Sequence, residues 1–264
     1  RGLGDVYKRQ IWPNGDLSIA SPIEIVTYSN SHQFINKKRC ENVGYIEAIT
    51  LLNDSLYIIK CMPTPEQLRY RIINHHTGAI INSYDSIINC NRYISSFTNS
   101  FERYEGHIIS HGYQSNDILE CTLDSSKIRY KINVDNRIPP AGFYTQEGKE
   151  GMQLIQEEAE KGYIGHIPDY VESKETILLS FKGKREDLNG IALIDKKDGN
   201  ARVLENIKFD DNFRWLPKQF FSLDEGWCAM LMYPEDVLKK EEFARRFPGL
   251  DEESNPVLFI GKLR

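Results

Sequence analysis

The chain has 264 residues, 40 % of them hydrophobic and 11 % aromatic, which is enough apolar mass to bury a core and too much for a disordered chain. Its 33 Lys and Arg against 38 Asp and Glu leave a net charge of −5, which excludes the broad cationic surface that nucleic acid or an anionic membrane would call for. The longest apolar run, residues 227–233, is far short of the roughly 20 residues of a bilayer-spanning helix.

Residues 1–10 open without Met and share no register with the strand patterns after them, so they are expected to be a non-native leader, with the natural start and any export signal outside the chain. From Ile23 onward strand patterns dominate. Alternation over 23–28, the Ser29-Asn30-Ser31-His32 cluster and then 33–36 predict a hairpin. A second is predicted from 48–52, a turn at Asn53-Asp54 and 56–59; a third runs from 70–74 through Thr77-Gly78 to 79–84.

The same grammar recurs at 51–56, 104–109, 171–177 and 221–227, each an apolar strand, an acidic or Gly-bearing turn and another apolar strand. Their markers Asp54, Glu105, Glu175 and Glu225 stand 51, 70 and 50 residues apart. An insertion over 137–165 explains the long interval. It contains Pro139-Pro140 and a helical stretch with Met152, Ile155 and Ala159 on one face and a stop at Lys161-Gly162. A second turn comes about two dozen residues after the first, as Asn74-His75-His76-Thr77-Gly78 and Asp195-Lys196-Lys197-Asp198-Gly199, with 119–124 a weaker copy. Two hairpins per period make four strands per period, the arithmetic of an all-β propeller blade; near-equal spacing favours it over a β-sandwich.

Past the last repeat, Pro234-Glu235-Asp236 opens a rim helix expected to run over 234–247, with Arg245-Arg246 at its end. A closing strand is expected over 256–263. The chain from residue 11 to 264 thus reads as a single propeller domain.

The 50-residue period, the turn Ile194-Asp195-Lys196-Lys197-Asp198-Gly199, the 221–227 hairpin and the closing Ser254-Asn255-Pro256-Val257-Leu258-Phe259-Ile260 resemble a family of bacterial six-bladed β-propellers, TolB-like or NHL-like in architecture. The resemblance spans about residues 23–264 and rests on structural motifs. It implies an exported periplasmic or cell-surface protein, with a lipid anchor in the full-length form, and it carries no catalytic residues. About four blades and a partial one are counted, so the family's first blades are expected to lie outside the chain. On that expectation the blades form an open arc, and strand 257–263 lacks its partner.

Chemistry is sparse in the sequence. His107 and His111 are spaced for a metal only on a helix; on a strand they lie about 13 Å apart at about 3.3 Å per residue. His75 and His76, at a turn, are expected to face solvent. Asn14-Gly15-Asp16 and the 195–199 segment read as hairpin turns rather than calcium loops. Serine-hydrolase elbow and P-loop motifs are absent, and no cofactor or metal is assigned. The cysteines, Cys40, Cys61, Cys90, Cys121 and Cys228, form no C-x-x-C pair and read as isolated buried thiols; Trp227 reads as core. Long insertions on a repeat scaffold tend to carry binding, which singles out Tyr144, Tyr163 and His166. The reading is a non-enzymatic binding or scaffold propeller that recognises a protein or glycan through loops on one face. The alternative is a hydrolase or lactonase-type propeller with a metal at the channel mouth.

Overall fold

The computed structural model of the chain describes residues 8–12, 14–21, 24–40, 46–61, 68–86, 101–111, 116–134, 137–140, 142–146, 148–165, 167–183, 185–208, 214–217, 220–223, 225–239 and 241–263. The chain divides into two compact units: Arg1–Phe101 with His107–His166, and Glu102–Gly106 with Ile167–Arg264.

The first unit opens with a meander of β1 (Lys8–Ile11), β2 (Leu17–Ala20), β3 (Glu24–Tyr28) and β4 (Phe34–Arg39), paired in chain order. A second meander has the same plan, with β5 (Ile46–Asn53), β6 (Leu56–Cys61), β7 (Leu68–Asn74) and β8 (Ile80–Ser86). A third comprises β9 (Phe101–Tyr104), of which Glu102–Tyr104 fall in the second unit, with β10 (His107–His111), β11 (Asp117–Cys121) and β12 (Ser126–Lys131) in the first. The insertion folds as a 3-10 turn over Phe143–Thr145 and α1 (Gly151–Lys161). In the second unit, β13 (Tyr170–Glu172), β14 (Thr176–Phe181), β15 (Gly190–Asp195) and β16 (Ala201–Val203) form a fourth meander. A small pair comes next, β17 (Ile207–Lys208) with β18 (Arg214–Trp215). The last sheet has three strands: β19 (Phe220–Ser222), β20 (Trp227–Met232) and, after α2 (Pro234–Leu238) and α3 (Glu241–Arg246), β21 (Val257–Lys262). Five sheets of this kind are the repeat expected of propeller blades.

Burial on both faces explains the nearly continuous apolar strands. On β6, Tyr57 and Ile59 enter a core with Trp12, Ile25 and Ile49, while Ile58 enters another with Tyr70, Ile72 and Ile108. Successive side chains point to opposite faces, so a strand sandwiched between two sheets must be apolar at both registers. Each fully buried Ile or Tyr there contributes on the order of 1.5–3 kcal/mol. In the second unit Val171, Leu178, Ile191, Phe220 and Met230 make the corresponding core.

The matching turns have matching bonds. Asn74 N–H donates to Ala79 O (2.9 Å) and Gly78 N–H to Asn74 O (2.8 Å); Asp195 N–H donates to Asn200 O (2.9 Å) and Gly199 N–H to Asp195 O (2.9 Å). The side-chain oxygens of Asn74 and Asp195 each accept a backbone N–H two residues on, at 2.9 and 2.8 Å.

Several expectations are corrected. Lys8, Arg9 and Gln10, the last three residues of the segment set aside as a leader, are in register with the strand that follows, paired with Ala20, Ile19 and Ser18; residues 1–7 lie outside the described residues. Trp227 is 43 % exposed, because alternation on β20 sends Cys228, Met230 and Met232 into the core and Trp227 to the other face. There the Lys262 ammonium lies 5.7 Å from its ring centroid. On α1 the buried side chains are Leu154 and Glu158, and Met152 is 74 % exposed. His75 does not face solvent freely: its ring lies 4.1 Å from that of Trp12, and burial together with the charge of Lys38 pushes its imidazole down to about 4. The rim segment forms two short helices, Pro234–Leu238 and Glu241–Arg246, in place of one running over 234–247. The closing strand β21 has a partner, pairing with β20 from Trp227↔Lys262 to Met232↔Val257.

Candidate functional site

In a meander, the first-to-second and third-to-fourth turns share one end of the sheet, and the second-to-third turn and the link to the next sheet share the other. In the second and third sheets the first end carries two-residue turns, 54–55 between β5 and β6 and Glu105-Gly106 between β9 and β10, whereas the second end carries 62–67 between β6 and β7, 112–116 between β10 and β11, and the insertion after β12. Long connections on a rigid scaffold are where binding residues concentrate.

A buried polar cluster sits at this end of the second and third sheets. Ile46 pairs with Cys61 and Ala48 with Lys60, so Glu47 is the extra residue of a β-bulge, a device that re-aims a side chain. Lys60 is 1 % exposed, Glu47 6 %, and Lys60 Nζ lies 3.8 Å from Glu47 Oε2. The same ammonium is 3.4 Å from the His111 carbonyl, to which Arg69 Nη2 donates at 2.6 Å. Beneath them the Tyr70 hydroxyl donates to Ser110 Oγ (2.9 Å), and burial holds it well above its usual pKa range. At the same end of the third sheet Asn116 is 4 % exposed; its backbone carbonyl accepts Ile132 N–H at 2.9 Å. Among the described residues, Glu47 Oε2 and both polar atoms of the Asn116 amide have no hydrogen-bond partner. An unmade bond at such a site costs about 1–3 kcal/mol, which makes these atoms the candidates for a ligand contact.

The second unit has a pocket of about 400 Å³ at its short-turn end, bordered by Tyr104, Glu105, Ser173, Glu175 and Glu225. Two of its carboxylates are engaged within the protein: Glu225 Oε1 accepts Glu105 N–H at 2.9 Å, and Glu105 Oε1 accepts the Tyr104 hydroxyl at 3.1 Å. Burial, with Glu105 beside it, pushes that hydroxyl up to about 12.

Of the residues singled out by sequence, Tyr144 is buried with Phe143 and Leu154 in the small core of the insertion. Tyr163 is half-buried, its ring 5.4 Å from Phe143 and nearly perpendicular to it. His166 lies outside the described residues. His107 is exposed at one end of β10, 3.0 Å from Glu120, and His111 is buried at the other. Among the described residues no three His, Cys, Asp or Glu side chains are grouped so as to hold a metal ion. Cys40, Cys61, Cys121 and Cys228 are free and buried; burial pushes Cys40, Cys61 and Cys228 up to about 11 and Cys121 to about 12, which keeps them as neutral thiols. Glu47 and Asn116 belong to no motif. The one signal for Glu47 was a carboxylate inside the apolar run Ile46-Glu47-Ala48-Ile49.

The sequence matches no family model and no curated protein. Its fold is similar to that of a Bacteroides fragilis protein described as exported, with a TM-score of 0.78 at 10 % identity over 100 % of this chain and 80 % of that one. Weaker likenesses include the WD40 domain of Neurospora crassa Pan2 (TM-score 0.46, 8 % identity, 83 % of this chain and 56 % of that one). Another is Staphylococcus aureus virginiamycin B lyase (TM-score 0.43, 12 % identity, 98 % of this chain and 70 % of that one). With sheet topology and structural likeness in agreement, the chain has the all-β propeller fold, with five blades and a few short helices among the described residues.

Proposed function

We propose that this propeller is a binding module of an exported bacterial protein, of the six-bladed TolB-like or NHL-like type, and that it holds a glycan at the long-connection end of its second and third blades. The observation that carries the reading is the set of buried polar atoms on Glu47 and Asn116 that have no hydrogen-bond partner among the described residues. A carboxylate oxygen accepts only, and an amide both donates and accepts; sugar hydroxyls, which do both, complement them. The description of the Bacteroides fragilis protein as exported supports the location. The insertion contributes Tyr163 as a ring for sugar stacking, carried on Phe143 and Tyr144, with His166 beside it in sequence. The mechanism is rigid presentation: strands fix the polar atoms before the ligand arrives, which lowers the ordering cost of binding.

Screening the purified chain on a glycan array and measuring the strongest glycans by calorimetry tests this. Asn116→Ala and Glu47→Gln should each weaken binding about tenfold, since the first removes a buried hydrogen bond and the second exchanges a charge-assisted one for a neutral one, each a loss of about 1.4 kcal/mol. Their melting curves separate lost binding from lost folding. No glycan bound, or both folded variants binding like the parent, would overturn the proposal. Deletion of 140–162 with binding unchanged would remove Tyr144 and Tyr163 from it.

A further inference from the structure

On the second blade another buried polar atom is in the same position as Glu47 Oε2: among the described residues, Arg71 Nε has no hydrogen-bond partner. Arg71 stands opposite Ile59 on the β6–β7 pair, and its half-buried side chain reaches Cys61, the last residue of β6, where the connection 62–67 begins. Its guanidinium hydrogen-bonds the Cys61 thiol, which burial pushes up to about 11 and so keeps neutral. Glu47 bulges out between the partners of Cys61 and Lys60, and its charge acts on the same thiol in the opposite sense to that of Arg71. A cation and a carboxylate thus flank Cys61, each with a buried atom that no described residue satisfies.

The charges here are unevenly answered. Glu47 is ion-paired with Lys60 at 3.8 Å, and Asp85, the other carboxylate on these four strands, accepts the Ser126 hydroxyl. Arg71 faces a thiol, a weak acceptor that carries no charge. A guanidinium pairs with a carboxylate through two parallel N–H groups, and Nε–H is one of the donors that a side-on pair uses. A partly desolvated cation without a counter-ion is costly, so a carboxylate is the acceptor that this position favours most.

We propose that the glycan held at this end of the second blade is an acidic one, with a sugar carboxylate paired to the Arg71 guanidinium and neighbouring sugar hydroxyls donating to Glu47 Oε2. The inference rests on the glycan reading above and adds the class of sugar. The opposite charges of Arg71 and Glu47 fix the orientation of the sugar, because its carboxylate is attracted to the first and repelled by the second.

The probes are oligosaccharides ending in glucuronate, galacturonate or sialate, each beside its carboxyl-reduced counterpart, in which the carboxylate has become a CH2OH group and the rest of the sugar is kept. The parent protein should bind an acid form about tenfold or more tightly than the reduced form, with the difference shrinking as salt is added. Arg71→Gln, shown by its melting curve to be folded, should level the two forms. Reduction changes the ligand alone, so the acid preference is read on the parent protein even where a variant fails to fold. Equal binding of the two forms, or binding confined to neutral glycans, would overturn the proposal and leave the glycan reading standing; absence of any glycan binding would overturn both. An acid preference that survives in the folded Arg71→Gln protein would put the carboxylate elsewhere and overturn the proposal as well.

Discussion

At Gly165 the absence of a side chain makes room for a neighbour. An added Cβ would collide with the Tyr144 hydroxyl and come 3.0 Å from Glu158 Oε1, both on buried side chains that cannot swing aside. Tyr144 is therefore fixed by close approach to a backbone position, which is why a residue that reads in sequence as a ligand contact is packed in the structure. Gly165→Ala should destabilise the chain by about 1–3 kcal/mol, the usual range for overpacking, as measured by urea unfolding. Pairing it with Tyr144→Phe, which removes the obstructing oxygen, should recover part of that loss. A Gly165→Ala chain as stable as the parent would show that the insertion yields more easily than a packed core does.

At the scale of elements, the repeat is expressed in hydrogen bonds. His75 N–H donates to Ser55 O at 2.7 Å, and Lys196 N–H to Glu175 O at 2.8 Å, so the two outer turns are tied to the neighbouring inner turns in the same way. The side chains of Asn74 and Asp195 set both turns by accepting backbone N–H groups ahead of them. Asn74→Ala and Asp195→Ala should each cost about 1 kcal/mol, with similar shifts in urea midpoint. A loss confined to one of the two would mean that the equivalence is of sequence and not of energy. These turns were legible because an Asx residue and a Gly at fixed offsets dictate a local conformation on their own.

For the whole molecule, the relevant fact is that each unit has its own core. Ile58 and Phe220 are both fully buried, one in each unit. Ile58→Ala should cost about 2–5 kcal/mol and Phe220→Ala about 3–5 kcal/mol. Hydrogen exchange should show the greater loss of protection in the unit that carries the substitution; equal loss throughout the chain would show that the two cores open as one. The amino-acid sequence by itself determined the strand-rich class, the near-50-residue repeat, the turn chemistry and the helix stop at Gly162, because each arises from interactions among residues close in the chain. Only the tertiary structure decided that Lys8–Ile11 pairs with Leu17–Ala20, that Trp227 faces outward while Cys228 is core, and that Glu47 Oε2 and the Asn116 side-chain amide are buried with no hydrogen-bond partner among the described residues. Those outcomes depend on which sheet covers which face and on where a bulge re-aims a side chain, contacts between residues far apart in sequence that no local pattern encodes.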